Sequence, residues 1–255
     1  MSTVLYQKIT DHIALVTLNR PDAYNAINAE VTQEMDAIVQ QTENDPSVRV
    51  VILNGAGDKA FCAGADLKVI AAGKGDSLYS DNGGFGGLVY AKRTKPWIAA
   101  VHGFALAGGL EMSLACDIII AAEGTKFGLP EVKRGLVAGA GGLYRLPQVL
   151  PAKLATSMIL TGEFIDAKRA YDLGMVLQIT KVHNLVEIAT QLALSISKNS
   201  PNAMKESMNY MQQLSGKSEE TMQEELTELF KHIITTPDAL EGSSAFAEKR
   251  EPKWN

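Results

Sequence analysis

The chain opens with two short runs in which apolar and polar positions alternate, residues 4–9 and 13–18, on either side of Thr10-Asp11-His12. A period of two belongs to a strand with one buried face, so the pair predicts a β-hairpin. Asn19-Arg20-Pro21-Asp22 breaks it. From 29 to 41 the period lengthens, and Val31, Met35, Ile38 and Val39 fall on one face of a predicted helix. Asn44-Asp45-Pro46 ends that helix, and 48–53 is a continuous apolar run suited to a buried parallel strand. Runs 98–101 and 118–122 have the same character, with a helix of small residues after Gly108-Gly109 between them. Strands alternating with helices imply right-handed crossovers and an α/β core. The stretch 76–87, rich in Gly, Asp and Ser, reads as a mobile loop. After a last strand-like run at 176–180, residues 184–197, 202–214, 218–234 and 236–250 carry helical periodicity with charged faces. The expected organisation is an α/β region over 1–183 and a helical C-terminal region over 184–255.

Composition adds limits. The chain has 255 residues, 46% hydrophobic and 21% charged, enough to bury a substantial core. Its formal charge of −5 argues against nucleic acid as the main partner, so an anionic ligand would need a local site. Cys62 and Cys116 form no metal-ligand pattern and read as buried, reduced thiols. The start lacks a signal-peptide pattern, and no run approaches the ~20 apolar residues that span a bilayer. A soluble cytoplasmic protein without membrane partners is the expectation.

Four segments carry candidate chemistry. Ala63-Gly64-Ala65-Asp66 follows a strand and opens a helix, which leaves backbone amides free beside small residues. The same pattern suits a tight turn capped by Asp66. His102 through Glu111 repeats the arrangement, with Gly108 and Gly109 starting a helix and Glu111 in its first turn. Two such turns facing each other could put two N–H donors on one carbonyl oxygen that gains negative charge, though close helix–sheet packing explains the glycines as well. Glu111 has almost wholly apolar neighbours, and a carboxylate there must be paired, protonated or functional unless it reaches a wet edge. Glu131 follows Pro130, which alone is an ordinary helix start. Gly139-Ala140-Gly141-Gly142 would hold a water beside Glu131 or merely join two helices.

Taken together, NRPDAYNAIN, AFCAGADLK, KPWIAAVHGFALAGGLE, ACDIIIAAE, FGLPE, GAGGLYRLP and SAFAEKR resemble the crotonase superfamily, also called the enoyl-CoA hydratase/isomerase family. The resemblance covers most of the chain. It implies a spiral of ββα units with a helical C-terminal region that builds a trimer, often paired into a hexamer. It further implies an oxyanion hole from the amides of Ala65 and Gly108, and Glu111 and Glu131 as catalytic carboxylates that hold the water. Substrate and coenzyme A binding would fall to Ala23, Ala63, Ala65, Asp66, Leu67 and Lys68. Gly139 would position the water, and Phe246 and Lys249 would close over the coenzyme A of a neighbouring subunit.

The implied reaction is syn hydration of a 2-enoyl-CoA to the 3-hydroxyacyl-CoA, with no metal or other cofactor, coenzyme A being part of the substrate. The intact glutamate pair argues against an enoyl-CoA isomerase and against an acyl-CoA-binding protein that has lost catalysis. The run 127–147 is also similar to crotonobetainyl-CoA hydratase-like members, whose acyl specificity differs. Ala138 stands where many hydratases have proline, Ala107 replaces the first glycine of a GGG run, and His102 reads as structural.

Overall fold

The computed structural model describes residues 2–254. These pack as two compact units that divide between Leu194 and Ser195.

The first unit begins with the expected hairpin. β1 (Val4–Lys8) and β2 (Ile13–Leu18) are antiparallel, with Val4 opposite Leu18. α1 (Ala29–Asn44) starts where the Asn28 side chain accepts from Val31 N–H, and it buries Val31, Met35, Ile38 and Val39. Lys95 Nζ donates to the carbonyls of Thr42 and Asp45 at its other end, satisfying acceptors the helix leaves open.

A repeating unit follows. β3 (Val50–Gly55) and β4 (Ala60–Cys62) lead into α2 (Leu67–Ala71). A short hairpin intervenes, β5 (Tyr79–Ser80) with β6 (Gly84–Phe85). β7 (Trp97–Val101) and β8 (Phe104–Leu106) lead into α3 (Gly108–Ala115). β9 (Ile118–Ala122) and β10 (Lys126–Gly128) lead into a 3-10 turn, Pro130–Arg134. The first strand of each pair joins a six-stranded sheet ordered β1-β2-β3-β7-β9-β12, and the second joins a four-stranded sheet ordered β11-β10-β8-β4. The chain is therefore a spiral of ββα turns. α4 (Gly142–Val149), α5 (Ala152–Thr161), β11 (Phe164–Asp166), α6 (Ala167–Asp172), β12 (Gln178–Thr180) and α7 (Leu185–Ser197) complete it. β3 and β7 are buried almost throughout, as parallel strands covered on both faces must be.

Two expectations need adjustment. The stretch 76–87 is no mobile loop: it contains the β5–β6 hairpin, and its residues 83–87 are all buried. It packs on α1, where Ser80 Oγ donates to Asp36 and a Cβ on Gly87 would stand 2.4 Å from the Thr32 carbonyl oxygen. Its glycines permit that close approach rather than motion. The packing boundary also falls later than the change in sequence character at 184, because Leu185, Ala189 and Ala193 bury one face of α7.

The second unit holds α8 (Pro201–Met211), α9 (Glu219–Ile233) and α10 (Pro237–Glu248), capped by Ser200, Ser218 and Thr236. Among the described residues no helix is long and apolar enough to cross a membrane.

Candidate active site

The turn after β4 and the turn after β8 meet. A Cβ on Gly64 would lie 2.8 Å from Ala107 Cβ and 2.9 Å from Gly108 N, so only glycine permits this contact. Gly64 also has a φ of +93°, which side chains disfavour. Neither Ala65 N–H nor Gly108 N–H donates to an acceptor among the described residues. Two free donors on adjoining turns are what an oxyanion hole requires.

The first turn is fixed from both sides. Ile27 N–H donates to Gly64 O and Asp66 N–H to Ile27 O, each at 2.8 Å, which pins the backbone around Ala65. Asp66 caps α2 at Lys68 N–H and pairs with Arg20 at 3.1 Å, while Arg20 Nη1 donates to Ala26 O. Asn25, buried with a φ of +55°, accepts from Arg20 N–H and donates to the carbonyls of Ala56 and Ala60. Ala23 sits in the short helical turn Pro21–Ala23 beside it, and Ala63 N–H donates to Tyr24 O. The second turn carries strain: Ala107 has φ 51° and ψ −129°.

These turns open into a cavity of about 640 Å³. Ala63, Ala65, Leu67, Gly108, Glu111, Glu131 and Gly139 all line it; Ala23, Asp66 and Lys68 do not. Glu111, on α3, is 3% exposed. Its Oε1 accepts from Gly142 N–H at 2.8 Å, so the glycine turn before α4 holds the carboxyl. Burial pushes its pKa up to about 7, opposed by the amides of Gly142 and Ala140 and by Arg145, and aided by the charge of Glu131. Glu131 reaches the cavity from the turn after β10. Both of its oxygens are buried, no other residue among those described donates to them, and burial raises its pKa against only its own backbone N–H. Two desolvated carboxyls with raised pKa values, beside two free amides, can exchange protons with a bound water and an acyl thioester.

Gly139 N–H is not a free donor of the same kind, since it donates to Val137 O at 2.8 Å. Phe246 and Lys249 belong to the second unit, Phe246 87% exposed on α10 and Lys249 closing that helix with a φ of 56°. His102 is buried outside the cavity lining, and desolvation lowers its pKa. Both cysteines are buried and free, with thiols pushed up to about 12 by burial. Leu78, Tyr79 and Phe85, from the stretch 76–87, also line the wall, as do residues that sequence reasoning missed: Leu136 and Val137 from the stretch after Glu131, and Phe164 from β11. No local pattern marks such residues, because separate segments supply them.

Fold and site together define an enzyme of the crotonase superfamily. The sequence pattern of the enoyl-CoA hydratase/isomerase family matches residues 8–255. A carnitinyl-CoA dehydratase from Proteus mirabilis is 37% identical, with 100% of this chain and 99% of the relative covered. Among solved structures, an enoyl-CoA hydratase from Mycobacterium tuberculosis matches at a TM-score of 0.94 and 41% identity, covering 100% of this chain and 99% of that one. A carnitinyl-CoA hydratase from Mycobacterium avium matches at 0.78 and 40%, with 100% and 99% covered. The chain belongs to the enoyl-CoA hydratase/isomerase family.

Proposed function

We propose that this protein catalyses the reversible syn addition of water to a 2-enoyl-CoA, giving the 3-hydroxyacyl-CoA. One observation carries the reading: Glu111 and Glu131 enter the same apolar cavity as the free amides of Ala65 and Gly108. The amides would hold the thioester oxygen and draw electron density from C3. Glu131, which no neighbouring donor stabilises as an anion, takes a proton from water as its oxygen bonds to C3. Glu111, protonated near neutrality by its burial, orients that water and delivers a proton to C2. One proton is taken and one given, so the charge of the pair is unchanged, and a single proton transfer from Glu131 to Glu111 restores its starting protonation. The proposed chemistry draws on substrate and protein alone, with coenzyme A as part of the substrate. We place the enzyme in the cytoplasm, as a homotrimer or a dimer of trimers.

Loss of enoyl-thioester absorbance on mixing with crotonyl-CoA and longer enoyl-CoAs tests the activity. Replacing both carboxyls, Glu111→Gln with Glu131→Gln, should lower the rate by about a thousandfold or more. Full activity in that double variant sinks the proposal.

The names of the Proteus mirabilis and Mycobacterium avium relatives favour a second reading, in which the acyl group bears the quaternary ammonium of a carnitinyl or crotonobetainyl chain. Tyr79 and Phe85 line the cavity as an edge-to-face pair, 5.6 Å between centroids, and aromatic faces attract such cations. Lys133 and Arg134 in the same lining oppose it. Relative kcat/KM for crotonobetainyl-CoA and for uncharged enoyl-CoAs of equal length decides between them.

A further inference from the structure

The hydrogen bond that holds Glu111 comes from Gly142 N–H, at the end of a turn that contains no side chain able to fix it. Two residues outside the cavity lining hold the carbonyls at the start of that turn. Tyr90 Oη donates to Gly139 O at 3.0 Å. Arg145 Nη1 donates to Ala140 O at 3.1 Å, and its Nη2 to Val89 O at 2.6 Å. The guanidinium lies 5.8 Å from the ring centroid of Tyr90 and 4.9 Å from that of Tyr144. One planar, charged group thus ties the glycine turn to the segment that follows the β5–β6 hairpin.

We propose that Tyr90 and Arg145 are positioning residues: they clamp the Gly139–Gly142 turn and so set the orientation and proton affinity of the Glu111 carboxyl. The inference deepens the hydratase reading and rests on it. Ala140, Gly141 and Gly142 are buried, whereas Gly139 is exposed, so the first carbonyl of the turn depends on Tyr90 and the second on Arg145. A Cβ on Gly141 would stand 2.1 Å from Arg145 Nη1, so guanidinium and turn are packed directly together. The groups that face Glu111 electrostatically are Glu131, Arg145, Tyr79 and Tyr90, and Arg145 is the cation among them. Removing it withdraws a charge that favours the carboxylate and loosens the amides that do the same. Lysine keeps the charge but lacks the fork that reaches two carbonyls at once.

Three variants test the clamp. Arg145→Gln should lower kcat about ten- to a hundredfold, the scale of a misplaced catalytic group, with KM nearly unchanged. Tyr90→Phe, which removes one hydroxyl and keeps the ring, should lower kcat about three- to tenfold. Arg145→Lys should recover the pH dependence of kcat in part, and its value less than fully. A readout that needs no turnover is infrared titration of the protonated Glu111 carboxyl, its band identified by loss in Glu111→Gln. The midpoint should rise by about half a unit or more in Arg145→Gln and return only part of the way in Arg145→Lys, since lysine restores the charge but not the fork. An unchanged midpoint in folded Arg145→Gln, or wild-type kcat in Tyr90→Phe, overturns the clamp. If Arg145→Gln fails to fold, the Tyr90→Phe rate is sufficient to uphold or overturn it. Absence of hydration by the wild type on every enoyl-CoA defeats the hydratase reading, and the infrared midpoint then decides the clamp.

Discussion

At the scale of single residues, the protein keeps two unfavourable features beside its cavity, and each has a measurable consequence. Glu111 has its pKa raised from an ordinary 4.5 to about 7. Between those values the folded chain retains a proton that the unfolded chain has released. Stability from this residue is therefore present below about 4.5, falls as pH rises toward 7, and is level above it. Glu111→Gln, which can still accept from Gly142 N–H, should remove that decline. Its stability advantage over the wild type should grow by up to about 3 kcal/mol from acid to mildly alkaline pH, read from denaturant midpoints at several pH values. Ala107 is the second feature, an alanine at φ 51° where glycine is at ease. Ala107→Gly should stabilise the fold by about 1 kcal/mol and raise the melting temperature by about 2–4 °C. Equal or lower melting would mean that its methyl group contributes more packing than its backbone costs.

At the scale of elements, the glycines that open α3 and those that precede α4 look alike in sequence but not in space. A Cβ on Gly109 would lie 2.0 Å from the Cys62 carbonyl oxygen, whereas one on Gly139 meets nothing nearer than 3.8 Å. Gly109→Ala should push α3 away from β4, costing about 2–3 kcal/mol and lowering the melting temperature by about 5–10 °C. Gly139→Ala should melt with the wild type. This contrast bears on what a sequence can tell. Periodicity located β2, α1 and β9 because each repeats one rule over several residues. It found the buried carboxylate on α3 because a charge among apolar residues is a local anomaly. It misread 76–87, where Gly and Ser permit close packing on α1 as readily as they permit disorder. It was silent on Tyr90 and Arg145, whose partners are backbone carbonyls 49 and 5 residues away. Nothing near them in the chain signals such a pairing.

At the scale of the whole molecule, the second unit leaves large apolar side chains in the open on all three of its helices: Met211 on α8, Phe230 on α9, and Leu240 and Phe246 on α10. Isolated exposed apolar residues are common, but these four, with Leu214, Leu226 and Ile234 exposed on the same small unit, suit the proposed assembly of identical chains. Sedimentation of the full chain should show trimers or hexamers, and Phe230→Glu with Leu240→Glu should shift them to smaller species. Unchanged sedimentation would remove these helices from the assembly. The charged and apolar faces of the helices were evident from their period, while the division at Leu194 was not, since one continuous helix, α7, crosses it. The spiral has one more consequence, for how such a site withstands mutation. In the proposed mechanism the two groups offered to the thioester oxygen are main-chain amides, Ala65 and Gly108. Every encoded amino acid supplies that N–H except proline. A codon change at either position can crowd or tilt the donor, but only proline can delete it. The carboxyls opposite enjoy no such protection. Drift in this lineage can therefore exchange the acid–base chemistry more easily than it can lose the means of polarising a thioester.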